Sequence, residues 1–169
     1  VSDDDIAMVH LSTSRIELNE TGQASTAYSV WLSSPPYSQV NVTIGFDDAE
    51  LRVDPPYLSF ESTSWSEPQS VIVTTANDWV DTGHSSKTVI THEVSSNDEF
   101  YDHVFVRNIS VTLLDDDVAQ VRVARRSDNE GNVAEGGPDY RYDVSLKSEP
   151  TSNVTVHVYG PGLEQLRIS

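Results

Sequence analysis

The chain has 169 residues, of which 27 are Asp or Glu and 10 are Lys or Arg, giving a net charge of −17 with histidine neutral. That balance argues against a nucleic-acid partner, because phosphate binding needs a basic face, and against charge-driven docking on an anionic membrane. Cysteine is absent, so a disulfide framework, a thiolate nucleophile and a cysteine zinc site are excluded, while three Trp, seven Tyr and four Phe supply bulk for a core.

Helical periodicity is nearly missing, and alternation of period two recurs instead. Strands are predicted near 6–12, 26–33, 39–46, 57–61, 69–76, 86–95 and 103–114. The alternation is plain in Val40, Val42 and Ile44, in Val71 and Val73, and in Ile109, Val111 and Leu113. Turn signals separate the runs: Pro35-Pro36, Asp47-Asp48, Asp54-Pro55-Pro56, Asn77-Asp78, Thr82-Gly83 and Ser95-Ser96-Asn97-Asp98. Short strands with this punctuation predict an all-β, Ig-like Greek-key sandwich. Leu58, Phe60, Val71 and Val73 have strand spacing and are expected in its core, with Trp65 covering one end. No apolar run approaches the roughly 20 residues of a membrane helix. The chain begins at Val1 with no signal peptide in view, as a mature or excised segment would.

The sequence also repeats. Asp3-Asp4-Asp5-Ile6-Ala7 returns as Asp115-Asp116-Asp117-Val118-Ala119. Glu20-Thr21-Gly22 is echoed by Glu135-Gly136-Gly137, and Tyr28 to Leu32 by Tyr142 to Leu146. Pro36, Val40, Val42 and Ile44 align with Pro150, Val154, Val156 and Val158. Residues 1–4 then read as the end of a preceding repeat or linker, 5–115 as one complete sandwich, and 116–169 as the first half of a second. Half a sandwich leaves half a core open. Either the segment is cut from a tandem array, or strands of another copy complete it.

Leu58-x-Phe60, Trp65 and Pro68-Gln69-x-Val71-x-Val73 form one signature with Asp81-Thr82-Gly83-His84, Ile90-Thr91-His92-x-Val94-Ser95-Ser96, Tyr101 and the closing Val111-x-Leu113-x-Asp115-Asp116-Asp117. Together they resemble the Calx-beta-like repeats found in tandem in large surface proteins of bacteria and algae. The resemblance implies an Ig-like β-sandwich, extracellular placement and a mechanical or adhesive role. Some members of that family bind Ca²⁺ with acidic loops at one end of the sandwich, but their full ligand series cannot be matched here residue by residue.

Candidate chemistry is acidic. Ca²⁺ takes six to eight oxygens from flexible loops, and Asp115, Asp116 and Asp117 supply some, with Asn77, Asp78, Asp81 or Glu135 as additions. The alternative is a solvated acidic linker that keeps an array soluble and extended. No EF-hand loop occurs. Four sequons, at Asn19, Asn41, Asn108 and Asn153, are candidate N-glycosylation sites. The last three alternate with inward apolar residues and should point outward, and Asn19 is expected in a turn. His10, His84, His92, His103 and His157 lack metal spacing, and a hydrogen bond fixing the loop around 77–87 is the expected role of His84 and His92. Trp31, Tyr37 and Trp79 are candidates for an exposed sugar-stacking surface. There is no nucleophile elbow and no Gly-rich phosphate loop, so no enzyme is expected.

The expectation is therefore a non-catalytic structural repeat of an extracellular stalk, array or fibril. Its partners are neighbouring repeats or copies of itself and N-linked glycans, with no nucleic acid and no membrane insertion. No cofactor is required. The alternative is a Ca²⁺-responsive domain that binds carbohydrate or protein.

Overall fold

A computed structural model describes residues 6–21, 24–125 and 141–159 of the chain. It is all-β and divides into two compact units, Val1–Val118 and Ala119–Ser169.

Unit 1 is an Ig-like sandwich of two sheets. One sheet orders its strands β1 (Val9–Leu11), β3 (Ser25–Leu32), β7 (Gln69–Thr75) and β5 (Leu51–Asp54). The other orders β2 (Arg15–Asn19), β9 (Ile109–Leu114), β8 (Ser85–Ser96), β4 (Val40–Gly45) and β6 (Tyr57–Phe60). All pairings are antiparallel except β2 with β9, which is parallel. Consecutive strands from β3 to β8 alternate between the sheets, which gives the Greek-key connection pattern.

Alternation explains the layering. β4 reads buried–exposed three times over, with Val40, Val42 and Ile44 inside. Leu58 and Phe60 of β6, Val71 and Val73 of β7, and Ile109, Val111 and Leu113 of β9 join the same core. Trp65 packs against that core from the β6–β7 connection, and its carbonyl accepts the Leu32 N–H at 3.2 Å.

Several boundaries differ from the sequence expectation. The strand expected over 6–12 is only Val9–Leu11; the chain then pivots at Ser12–Ser14 and enters the opposite sheet as β2. The pivot is fixed by backbone bonds from Ser12 to Ser29 and from Ser110 to Ser14. β2 was not anticipated, because charged or polar Arg15, Glu17 and Asn19 outnumber its two apolar residues, Ile16 and Leu18. β5, Leu51–Asp54, also differs from the expectation: its four residues, two apolar and two charged, are too few for alternation to mark a strand. The strand expected over 103–114 starts at Ile109; before it, the Asp98 carbonyl accepts the Tyr101 and Asp102 N–H groups in a turn. Asn19 is the last residue of β2 rather than part of a turn.

In unit 2, β10 (Val121–Arg125) pairs antiparallel with β11 (Tyr142–Leu146). The register repeats that of unit 1. Val9 faces Leu32 and Leu11 faces Val30 between β1 and β3; Val121 faces Leu146 and Val123 faces Val144 between β10 and β11.

Candidate metal centre

Parallel pairing of β2 with β9 creates the one acidic constellation that stands out among the described residues. Asn19 lies opposite Leu114, so the next residues of both strands leave the same end of the sandwich together. The Glu20 N–H donates to the Leu114 carbonyl at 3.0 Å, which sets Glu20 beside Asp115. One carboxylate oxygen each from Glu20, Asp115 and Asp117 lie within 4.8 Å of one another.

The three carboxylates have different environments. Asp115 is well supplied with donors. Its Oδ2 accepts the backbone N–H and the hydroxyl of Thr82, and its Oδ1 accepts the Asp117 N–H at 2.8 Å. Burial opposes the Asp115 charge, but these donors outweigh it and hold the carboxyl below its ordinary range. Asp117 has an Oδ2 that is buried without a hydrogen-bond partner. Burial and the charges of Asp116, Asp115, Asp78 and Asp81 push its carboxyl up.

Glu20 is the extreme case. The residue is only 7% exposed, and no donor reaches its carboxylate. Burial first, then the charges of Asp115, Asp78, Glu50 and Asp116, push it up to about 7. A carboxylate removed from water without a donor or counter-charge is costly. A hard divalent cation would meet the need of both Glu20 and the orphaned Asp117 oxygen.

Flanking residues are held in place by local hydrogen bonds. Asp78 Oδ1 caps the Val80 N–H at 2.8 Å and Asp81 Oδ1 caps the Gly83 N–H at 2.9 Å, shaping the β7–β8 loop. Gly83 takes φ +95°, open to glycine at little cost. The Thr21 hydroxyl donates to Asp116 Oδ2 at 2.9 Å, and the Thr21 N–H donates to Asn19 Oδ1. Of the expected ligands, Asp115 and Asp117 thus meet directly, Asp78, Asp81 and Asp116 act through their fields, and Glu135 lies outside the described residues. Glu20 was missed as a ligand. Its one trace in the sequence is the repeat match of Glu20-Thr21-Gly22 with Glu135-Gly136-Gly137.

Asn19, Asn41, Asn108 and Asn153 are all solvent-exposed. The histidine expectation changes. His84 is exposed in the loop, but His92 is buried in the core and shares a hydrogen bond with Tyr28, so it does not fix the 77–87 loop. The three candidate sugar-stacking aromatics do not gather. Trp31 is partly covered and stacks on His10, with ring centroids 5.4 Å apart. Trp79 lies in the β7–β8 loop, whereas the Tyr37 N–H is bonded to Asp98 in the β8–β9 connection, at the opposite end of β8.

No family model and no curated protein matches this chain. Solved structures do resemble it. The apo form of the Calx CBD1 domain aligns with a TM-score of 0.49 and 16% identity, covering 67% of this chain and 100% of that one. The calcium binding domain CBD12 of CALX1.1 gives 0.48 and 15%, covering 65% and 45%. The E. coli chaperone DraB gives 0.46 and 12%, covering 87% of each chain. The strand order and buried alternation described above define the protein as an all-β, Ig-like sandwich.

Proposed function

We propose that the chain is a Ca²⁺-binding structural module of an extracellular repeat protein, with no catalytic role. The observation that carries this reading is Glu20: a residue 7% exposed whose carboxylate receives no hydrogen-bond donor and sets one oxygen within 4.8 Å of carboxylate oxygens of Asp115 and Asp117. Glu20, Asp115 and Asp117 would hold the ion, and backbone carbonyls and water would complete the six to eight oxygens that Ca²⁺ takes. The ion would tie the end of β2 to the end of β9, and the β7–β8 loop would follow through Thr82.

The structural part of the reading rests on the repeat. The two copies of one strand pattern in 169 residues, the absence of cysteine and the charge of −17 suit a tandem array that stays soluble and extended. The four exposed sequons are where N-linked glycans would attach in a eukaryotic secretory host.

The test is thermal unfolding of the 169-residue chain in EDTA and in millimolar Ca²⁺. A ligand that prefers the folded state, at 100-fold its dissociation constant, adds about 2.7 kcal/mol, which for a domain of this size raises Tm by on the order of 10 °C. The rise should disappear in Glu20→Gln. Equal Tm in the two buffers would overturn the Ca²⁺ reading. Trp79 is exposed in the same loop, so a fluorescence change on Ca²⁺ addition that Trp79→Phe removes would place the ion independently.

A further inference from the structure

We propose that the outer face of β4 and β6 is a seat for the first sugar of an N-linked glycan on Asn41, with the Tyr57 ring as its platform. The proposal rests on the N-glycan part of the reading above and adds which sequon matters and what its sugar touches.

The sequon Asn41-Val42-Thr43 lies inside β4. Alternation buries Val42 completely and sends Asn41 and Thr43 to the solvent face. β4 lies between β8 and β6, so both flanks of the sequon are fixed. Asn41 stands opposite Ser59 on one side and Ser95 on the other. Both are small and exposed, so neither crowds a group attached to the Asn41 amide. Thr43 stands opposite Tyr57, which places Tyr57 diagonally from Asn41 on the same face. Such diagonal neighbours are about 7–8 Å apart, within reach of aromatic and long side chains, and a sugar-bearing asparagine is one.

Tyr57 suits the role of platform. It is 69% exposed. Its main chain is anchored, because the Ile44 N–H donates to the Pro56 carbonyl at 2.9 Å and docks the start of β6 on β4. β6 ends its sheet among the described residues, which leaves the ring open on the outer side. The negative face of an aromatic ring attracts the C–H groups on the apolar side of a pyranose. Two residues before Asn41, Gln39 Nε2 donates to Glu61 Oε1 at 2.6 Å, a polar pair that sugar hydroxyls can join.

The other sequons lack this surround. Asn19 Oδ1 accepts the Thr21 N–H, the Thr21 hydroxyl donates to Asp116, and the strand partner of Asn19 is Leu114. Asn108 precedes β9 and Asn153 follows β11, so neither sits in a strand. Position also supplies a use. The free N–H and C=O groups of an edge strand invite pairing with other chains, and an exposed aromatic there adds to the hazard. A glycan laid on Tyr57 would cover ring and edge together.

The experiment makes the 169-residue chain in a eukaryotic secretory host that builds high-mannose glycans, and works in EDTA so that Ca²⁺ plays no part. Mass spectrometry of the peptide holding Asn41 reads occupancy. An endoglycosidase then trims each glycan to one N-acetylglucosamine, and melting is compared with Asn41→Gln made in the same way. Expected are an occupied Asn41 and a Tm on the order of 3 °C above that of the variant. The same two chains made in bacteria, without sugar, should not show the gap. Tyr57→Ala should abolish the gain from the sugar, and Tyr57→Phe should keep it, because the ring and not the hydroxyl is the platform. Nuclear Overhauser contacts between the sugar and the Tyr57 ring give a readout independent of stability. An occupied Asn41 with neither the gain nor these contacts overturns the seat and leaves the N-glycan reading standing. So does a bare Asn41 beside another occupied sequon. A chain with no sequon occupied overturns both.

Discussion

The Tyr28 hydroxyl lies 2.9 Å from Nε2 of His92 inside the sandwich, joining β3 of one sheet to β8 of the other. The rings meet edge to face, with centroids 5.6 Å apart. Nδ1 of His92 is buried without a partner. Burial pushes the Tyr28 phenol up and the His92 imidazole down to about 4, from an ordinary 6.5.

This pair makes the domain acid-sensitive. Between pH 6.5 and 4 the unfolded chain binds a proton at His92 and the folded chain does not, so stability falls as pH falls through that window. Below about 4 both states are protonated and the loss stops. The total loss is at most about 3.5 kcal/mol, since one pKa unit is about 1.4 kcal/mol. The double variant Tyr28→Phe/His92→Phe should show a flatter profile from pH 7 to 4 in urea titrations. An unchanged slope would remove His92 as its source.

Glu20 runs the other way. Its folded pKa of about 7 exceeds the ordinary 4.5, so the folded state holds the extra proton, and without Ca²⁺ stability is lost as pH rises from 4.5 through 7. In EDTA, Glu20→Gln should therefore be more stable than the unaltered chain at pH 8, with the gap closing towards pH 4.5. In saturating Ca²⁺ at pH 8 the order should reverse. Equal Tm for variant and parent in EDTA at pH 8 would mean that the carboxylate is relieved by something other than a proton or a cation.

Much of this was legible in the sequence, and the remainder was not for identifiable reasons. β4, β7 and β9 carry three or more alternating aliphatics or β-branched residues, and periodicity alone places them. β2 buries only Ile16 and Leu18 beside a salt-tolerant face of Arg15 and Glu17, so the local signal is weak and the parallel partner β9, nearly a hundred residues away, decides it. The acidic triplet 115–117 was visible as a cluster, but its partner was not. Glu20 reaches Asp115 only because β2 and β9 run side by side, a long-range fact that spacing does not encode. His92 falls inside the strand expected over 86–95, but spacing does not say which partner its ring meets: its inward position on β8 sets it against Tyr28 rather than the 77–87 loop.

At the far end of the sandwich, Tyr101 closes the core. Its oxygen donates to the Ser34 carbonyl at 2.6 Å and accepts the Ser34 N–H at 3.1 Å, with the Ser34 hydroxyl at 2.9 Å. Tyr101 is buried. Tyr101→Phe keeps the ring but orphans buried polar atoms of Ser34, at a cost of about 1–3 kcal/mol. Calorimetry should show a matching fall in Tm, with the Ca²⁺ response unaltered because the two ends are separated by the length of β8. A neutral result would mean that water replaces the phenol.

Gly83 tests the loop geometry rather than the ligands. A Cβ there meets no atom within 4 Å, so the only penalty of Gly83→Ala is backbone strain at φ +95°, on the order of 1–2 kcal/mol. Relief of that strain would shift the turn capped by Asp81 and with it the Thr82 donors to Asp115. The expected result is Ca²⁺ affinity several-fold weaker with a modest Tm loss in EDTA. Unchanged affinity would separate the loop from the ion.

The last prediction concerns the boundary after Val118. The contacts of unit 1 close on themselves: both sheets, the whole buried core and the Glu20–Asp115–Asp117 cluster lie before Ala119. A chain ending at Val118 should therefore fold and keep its Ca²⁺-dependent Tm rise. The core it retains comprises the same 22 buried apolar residues as the longer chain, so the apparent enthalpy of unfolding should change little on deletion. A truncated chain that melts many degrees lower would show that residues 119–169 support unit 1.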